Sequence, residues 1–159
     1  VKNDVQIRAF QIAAEHDYVS CANSIIGMPD ETRDLIFDTI NFVRELPDNI
    51  DATGAFIFAP YHGTPLRDLA IRKGYINDEE ICSLSNTSES MLRMPTISKN
   101  EIQGLAKTFS LYTKFPKERW PEIKIAESDD EEGAQMMDKL GKEFDSTYRQ
   151  FAAASDLHD

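Results

Sequence analysis

Two short stretches, NSIIGMPDETRD at 23–34 and FAPYHGTPL at 58–66, hold the residues best suited to chemistry. In the first, β-branched residues run into Gly27 and Pro29, then into acids and a helix pattern. Folds with parallel strands carry their ligands at the carboxyl ends of those strands. Two such ends side by side would form one rim. A flat ligand could press on Ile25, approach Gly27 because it has no side chain, and hydrogen-bond to the backbone at Ala59 and Pro60. The same spacing also fits a local role, with Gly27 serving a turn and Pro29 stiffening it.

Tyr61 and His62 follow these backbone groups directly, in the same rim loop. Histidine as a type suits proton transfer near neutral pH. No carboxylate partner accompanies His62 in the sequence, so a loop histidine bonded to backbone is the other reading. Tyr61 could stack on a ligand or cover the core, and the core is preferred. There is no GxSxG, P-loop, HExxH or glycine-rich dinucleotide fingerprint. Cys21 and Cys82 show neither CxxC nor zinc spacing, so no metal site is expected. Free thiols in a reducing cytoplasm are expected, with Cys21 as a small core residue.

The elements that must position these residues follow from periodicity. Residues 4–15 read as a helix, with Ile7, Phe10 and Ala14 on one face. Residues 18–26 read as a strand without strict polar alternation, as for a strand covered on both faces. A helix at 31–46 has Leu35, Phe42 and Leu46 in one stripe, with Ile36, Ile40 and Val43 beside it. Asp30 or Thr32 could cap it, and Glu31 and Asp34 suit its positive end. Residues 52–59 give the second strand, making one βαβ unit.

Thr64 and Pro65 open a short helix that Gly74 stops. Ser98 and Glu101 form a capping box, and the helix they open buries Ile102, Leu105, Phe109 and Tyr112. The segment 116–127 reads as irregular, and 127–133 as a solvated linker or helix lead-in. A last helix at 134–153 aligns Met137, Leu140, Phe144, Tyr148 and Phe151.

The totals fit one domain with a real core: 159 residues, 41% hydrophobic. No apolar run approaches the roughly 20 residues that cross a bilayer. Net charge is -11, and ten acids against three bases follow Ala126. An acidic chain without a basic cluster is not built for nucleic acid or anionic membranes. The chain begins at Val1 rather than Met, which suggests a piece of a longer gene product.

NSIIGMPDET, followed after one helix and one strand by FAPYHGTPLRDLAIRKGYI, resembles the C-terminal half of a radical S-adenosylmethionine domain. The nearest type is often fused to a cobalamin-binding domain. MPTISKNEIQGLAKTFSLYTKFPKERWPEIKIAE resembles that group's C-terminal region. The resemblance covers most of residues 1–133. It implies an α/β fold, a partial (β/α) barrel fragment with two parallel strands plus C-terminal helices. It divides the chain into a barrel part at 1–76, a helical extension at 77–126, and an acidic linker with amphipathic helix at 127–159.

The resemblance further implies S-adenosylmethionine and a [4Fe–4S] cluster as cofactors of the full-length protein, with cobalamin as a possible third. The family's Gly-x-Ile-x-Gly-x-x-Glu motif would fall on Asn23, Ile25, Gly27 and Asp30, with Glu31 adjacent. Ile25 and Gly27 keep the pattern; Asn23 and Asp30 depart from it. No CxxxCxxC occurs, and thiolates are what hold such a cluster, so the isolated chain is expected to be inactive. The expected partner is the missing N-terminal part of the same barrel, acting with it on an unidentified small molecule. The rival reading is a non-catalytic, acidic, helix-rich interaction module. A phosphate-binding βα-barrel would need an anion-binding glycine loop that is not found.

Overall fold

The computed structural model describes residues 2–148 except 17, 19, 48, 49 and 83–88, and at 51–53 the backbone alone. Among the described residues the chain is α/β, with six α-helices and two strands. Strands β1 (Cys21–Ile26) and β2 (Asp51–Ile57) pair in parallel, as expected of one βαβ unit. Ile25 lies opposite Phe56 and Ile26 opposite Ile57. The Phe58 N–H donates to the Ile26 carbonyl at 2.8 Å, carrying the ladder past the strand end. The register slips near the start, where Cys21 pairs with Asp51 but Asn23 with Gly54. Gly54 has φ 128°, a conformation that glycine supplies at such an irregularity.

The sheet is covered on one face only, which corrects the expectation for β1. Burial along the strand alternates: Ala22 and Ile26 are buried, while Cys21, Asn23 and Ile25 are exposed. The core lies on the side of Ala22, Ile26 and Ile57, with Ile36 and Ile40 of one helix and Ile102, Leu105 and Phe109 of another. Cys21 is therefore an exposed thiol rather than a core residue, because it points to the opposite face from Ala22.

Helix α1 (Asn3–Glu15) buries no residue fully, though Ile7 and Phe10 pack against the core. Helix α2 (Arg33–Arg44) is capped by Thr32, whose hydroxyl accepts from the Leu35 N–H at 3.3 Å. Its buried stripe is Ile36, Ile40 and Val43; Leu35, expected in the stripe, is exposed. Thr64 and Pro65 open α3 (Pro65–Arg72), and Gly74, with φ 71°, follows its end.

Helix α4 (Lys99–Lys114) starts at the Ser98–Glu101 capping box and buries the four residues expected of it. It packs along β2 and against α2. The segment expected to be irregular is helical: a 3-10 turn at Lys117–Arg119 leads into α5 (Trp120–Ala126). Pro121 is tolerated there because the first turn has no helical acceptor for its missing N–H. Asp130 then accepts from the Gly133 N–H at 2.7 Å, so the acidic stretch is the lead-in to α6 (Glu131–Tyr148). Leu140 is buried, with Met136, Met137, Phe144 and Tyr148 packed around the core. The expected continuation to 153, including Phe151, falls outside the described residues.

Both ends of α2 are fastened to the C-terminal helices. Arg44 donates through Nη1 to the carbonyls of Tyr112, Thr113 and Phe115 at 2.8, 3.1 and 2.7 Å, satisfying the end of α4. Near the other end, Arg33 forks onto Glu127 at 2.6 and 2.9 Å. Between them Phe37, Tyr112 and Trp120 pack ring to ring, with centroids 5.1 to 5.4 Å apart. None of the helices, among the described residues, is long and apolar enough to cross a membrane.

Candidate functional site

The parallel register brings the two motif stretches to one lip. Ile26 lies beside Ile57, and Gly27 and Ala59–Pro60 begin just beyond them. One residue back, on the uncovered face, Ile25 and Phe56 are neighbours at 51% and 50% exposure. They make a small apolar surface that ends at the lip.

Gly27 is required on two local grounds. Its φ is 82°, and a Cβ added there would meet Ile102 Cγ2 at 3.1 Å. The side on which it lacks a side chain thus faces α4. The N–H groups of Gly27 and Met28 donate to Glu31 Oε2 at 2.5 and 3.1 Å, and the Glu31 N–H returns to the Met28 carbonyl at 3.0 Å. Burial pushes the Glu31 carboxyl above the usual range, against the pull of the two N–H donors.

Asp30 has φ 67°, a left-handed conformation that aspartate tolerates better than most residues. The Lys73 ammonium at 2.6 Å and the Tyr75 hydroxyl at 2.6 Å hold it there. Lys73, then Tyr75, lower its pKa. Glu31, not Asp30, is the acid that engages the Gly27 backbone.

The second loop is equally self-bonded. The Tyr61 N–H donates to the Ala59 carbonyl at 3.0 Å, and the Tyr61 carbonyl accepts from the Thr64 hydroxyl at 2.8 Å. Arg67, only 2% exposed, donates to the Pro60 carbonyl at 3.1 Å and to the carbonyls of Asp78 and Glu80 at 2.8 Å each. Three carbonyl dipoles thereby meet a buried guanidinium, whose burial is costly without such partners. Tyr61 is 46% exposed, so it does not cover the core. The turn through Gly63, φ 77°, carries Tyr61 and His62 outward.

Sequence reasoning located the lip but missed Arg67 and Tyr75, and gave Glu31 only a helix-dipole role. An arginine inside a short amphipathic helix reads as surface, and nothing local marks it as buried. Neither Cys21 nor Cys82 is part of a disulfide. Among the described residues there is no group of three or more His, Cys, Asp or Glu placed to hold a metal ion.

A cavity of about 500 Å³ shares no residue with the lip. Glu101, Gly104 and Lys107 of α4 line it, with Lys124, Glu127 and Asp129. Glu127 is fully engaged: besides the Arg33 fork it accepts from the Tyr112 hydroxyl at 2.5 Å and Lys124 at 2.9 Å. Burial raises its pKa, but those donors outweigh burial and hold the carboxyl below its ordinary value. The same burial and the carboxylate push the Tyr112 phenol up. This is a structural brace, with its lone pairs taken.

No family model, curated protein or solved structure matches the chain.

Proposed function

We propose that this chain is the C-terminal part of a radical S-adenosylmethionine enzyme and supplies the adenine-contacting rim of its partial barrel. One observation carries the reading: two adjacent parallel strands end at the same lip, with Ile25 and Phe56 exposed just behind it. A nucleoside base is flat and apolar on its faces and polar at its edge. The Ile25–Phe56 surface suits the face; beside Gly27, the Ala59 and Pro60 carbonyls, each with a second lone pair beyond its internal hydrogen bond, suit donors at the edge. Tyr61 and His62, both exposed, stand on the substrate side. S-adenosylmethionine and a [4Fe–4S] cluster would be the cofactors of the complete enzyme, with cobalamin as an optional third. The cluster's thiolates would come from the missing N-terminal strands, since this chain has no CxxxCxxC.

The test uses the in-frame extended protein, reconstituted anaerobically with iron and sulfide. Reduction with S-adenosylmethionine should release 5′-deoxyadenosine, and its absence would count against the reading. The present chain alone should show no iron–sulfur absorbance after the same treatment. A stoichiometric cluster on Cys21 and Cys82 would refute the division of labour.

A second reading, a non-catalytic acidic module, has its own support. The Gly27 and Met28 N–H groups are already used by Glu31, and Ile102 fills the bare side of Gly27. An open reading frame that starts just before Val1, with no cluster-bearing partner upstream, would favour it.

A further inference from the structure

We propose that Tyr75, Arg93, Glu80 and Arg67 tie the two lip loops into one mechanical unit, so that displacing either loop shifts the other. The links form an unbroken series. In the first loop, Asp30 accepts from the Tyr75 hydroxyl at 2.6 Å. The Tyr75 carbonyl accepts from the Arg93 N–H at 2.8 Å. The Arg93 guanidinium forks onto the Glu80 carboxylate at 2.8 and 2.9 Å. The Glu80 carbonyl accepts from Arg67, which also donates to Pro60 in the second loop.

Each link restrains rather than merely touches. Bidentate arginine–carboxylate pairs fix both distance and angle. Glu80 also accepts from the Asn77 N–H at 2.9 Å, which closes the turn around it. The Arg93 fork, then the Asn77 N–H, hold the Glu80 carboxyl down to about 2, so the pair stays charged across ordinary pH. Arg67 is buried and leaves little room to relax without moving Pro60. Asp30 sits in a left-handed conformation that its neighbours must maintain. The series is independent of what the lip binds. Spatial continuity alone does not establish coupling, so the test must perturb a link that touches neither loop.

Arg93 is that link. Native-state amide hydrogen exchange on the full chain would compare the parent with Arg93→Gln, Tyr75→Phe and the double variant. Arg93→Gln should raise exchange about two- to fivefold, the scale of one partly exposed ion pair, at Met28, Asp30 and Glu31 and also at His62–Thr64. Amides of α4 and α6 should stay unchanged. Tyr75→Phe, nearly isosteric and so safe for folding, should loosen the second loop as well as the first. The double variant should do little more than the stronger single one. The proposal fails if Arg93→Gln acts only between residues 75 and 93, or if Tyr75→Phe leaves His62–Thr64 untouched. It also fails if the two effects multiply as independent sites do, or if exchange rises everywhere in proportion.

Discussion

Gly27 has two separate reasons for a bare Cα: a left-handed backbone and a methyl group of Ile102 only 3.1 Å from where its Cβ would lie. Gly27→Ala should cost at least about 1–2 kcal/mol from the backbone alone, read by urea unfolding. Two glutamates, Glu127 buried and Glu31 partly buried, behave oppositely with pH. Glu127 has a lowered pKa, so its contribution is present above its unfolded value of 4.5 and fades as pH falls through the folded one. Glu127→Gln removes the charge that balances Arg33, leaving it only a neutral acceptor, and should lose about 3 kcal/mol at pH 7. That difference should shrink when both proteins are unfolded at about pH 3. Glu31 has a raised pKa, so its favourable contribution lies below 4.5 and is lost as pH rises through the folded value. Glu31→Gln keeps an acceptor for Gly27 and Met28 without the buried charge. It should therefore be neutral or stabilising at pH 7, and a loss as large as that of Glu127→Gln would contradict this account.

At the scale of elements, local signals did most of the positioning. The Ser98–Glu101 capping box is reciprocal, with the Ser98 N–H donating to Glu101 at 3.1 Å and the Glu101 N–H to Ser98 at 3.2 Å. Ser98→Ala should cost about 1 kcal/mol and fray the first turn of α4, visible as faster exchange there. That box, the Thr64–Pro65 start and the helical spacing of Ile102, Leu105, Phe109 and Tyr112 were legible because each is a short-range pattern. The parallel pair was legible too, since a helix between two apolar runs admits few arrangements. Three things were not. The helix at Trp120 was hidden by Pro121, which reads as a breaker until its place in the first turn is known. The one-sided cover of β1 was hidden because Ser24, Ile25 and Ile26 carry no polar alternation. The outward Tyr61 was hidden because an aromatic ring by type suits a core, while Gly63 turns its loop away. The lip itself was found from Gly27 and Pro60, but the side chains that brace it come from far along the chain, where no spacing rule reaches.

At the scale of the molecule, the uncovered sheet face is the main unfinished surface. Ile25 and Phe56 stand half exposed on it, in a sheet that has two strands among the described residues. Exchanging both for lysine should change stability by no more than about 0.5 kcal/mol, because neither is in the core. If that face drives contact between molecules, the same change should lower light scattering at high concentration; equal scattering would acquit it. The paired anchors on α2 have a different consequence. Arg33 and Arg44 join a helix of the N-terminal half to Glu127 and to the end of α4, in the C-terminal half. These contacts hold the two halves together alongside the covalent join between residues 82 and 89. Expressed as two polypeptides, 1–82 and 89–159, the halves should recombine on mixing and regain the helical signal of the intact chain, as a split reporter does.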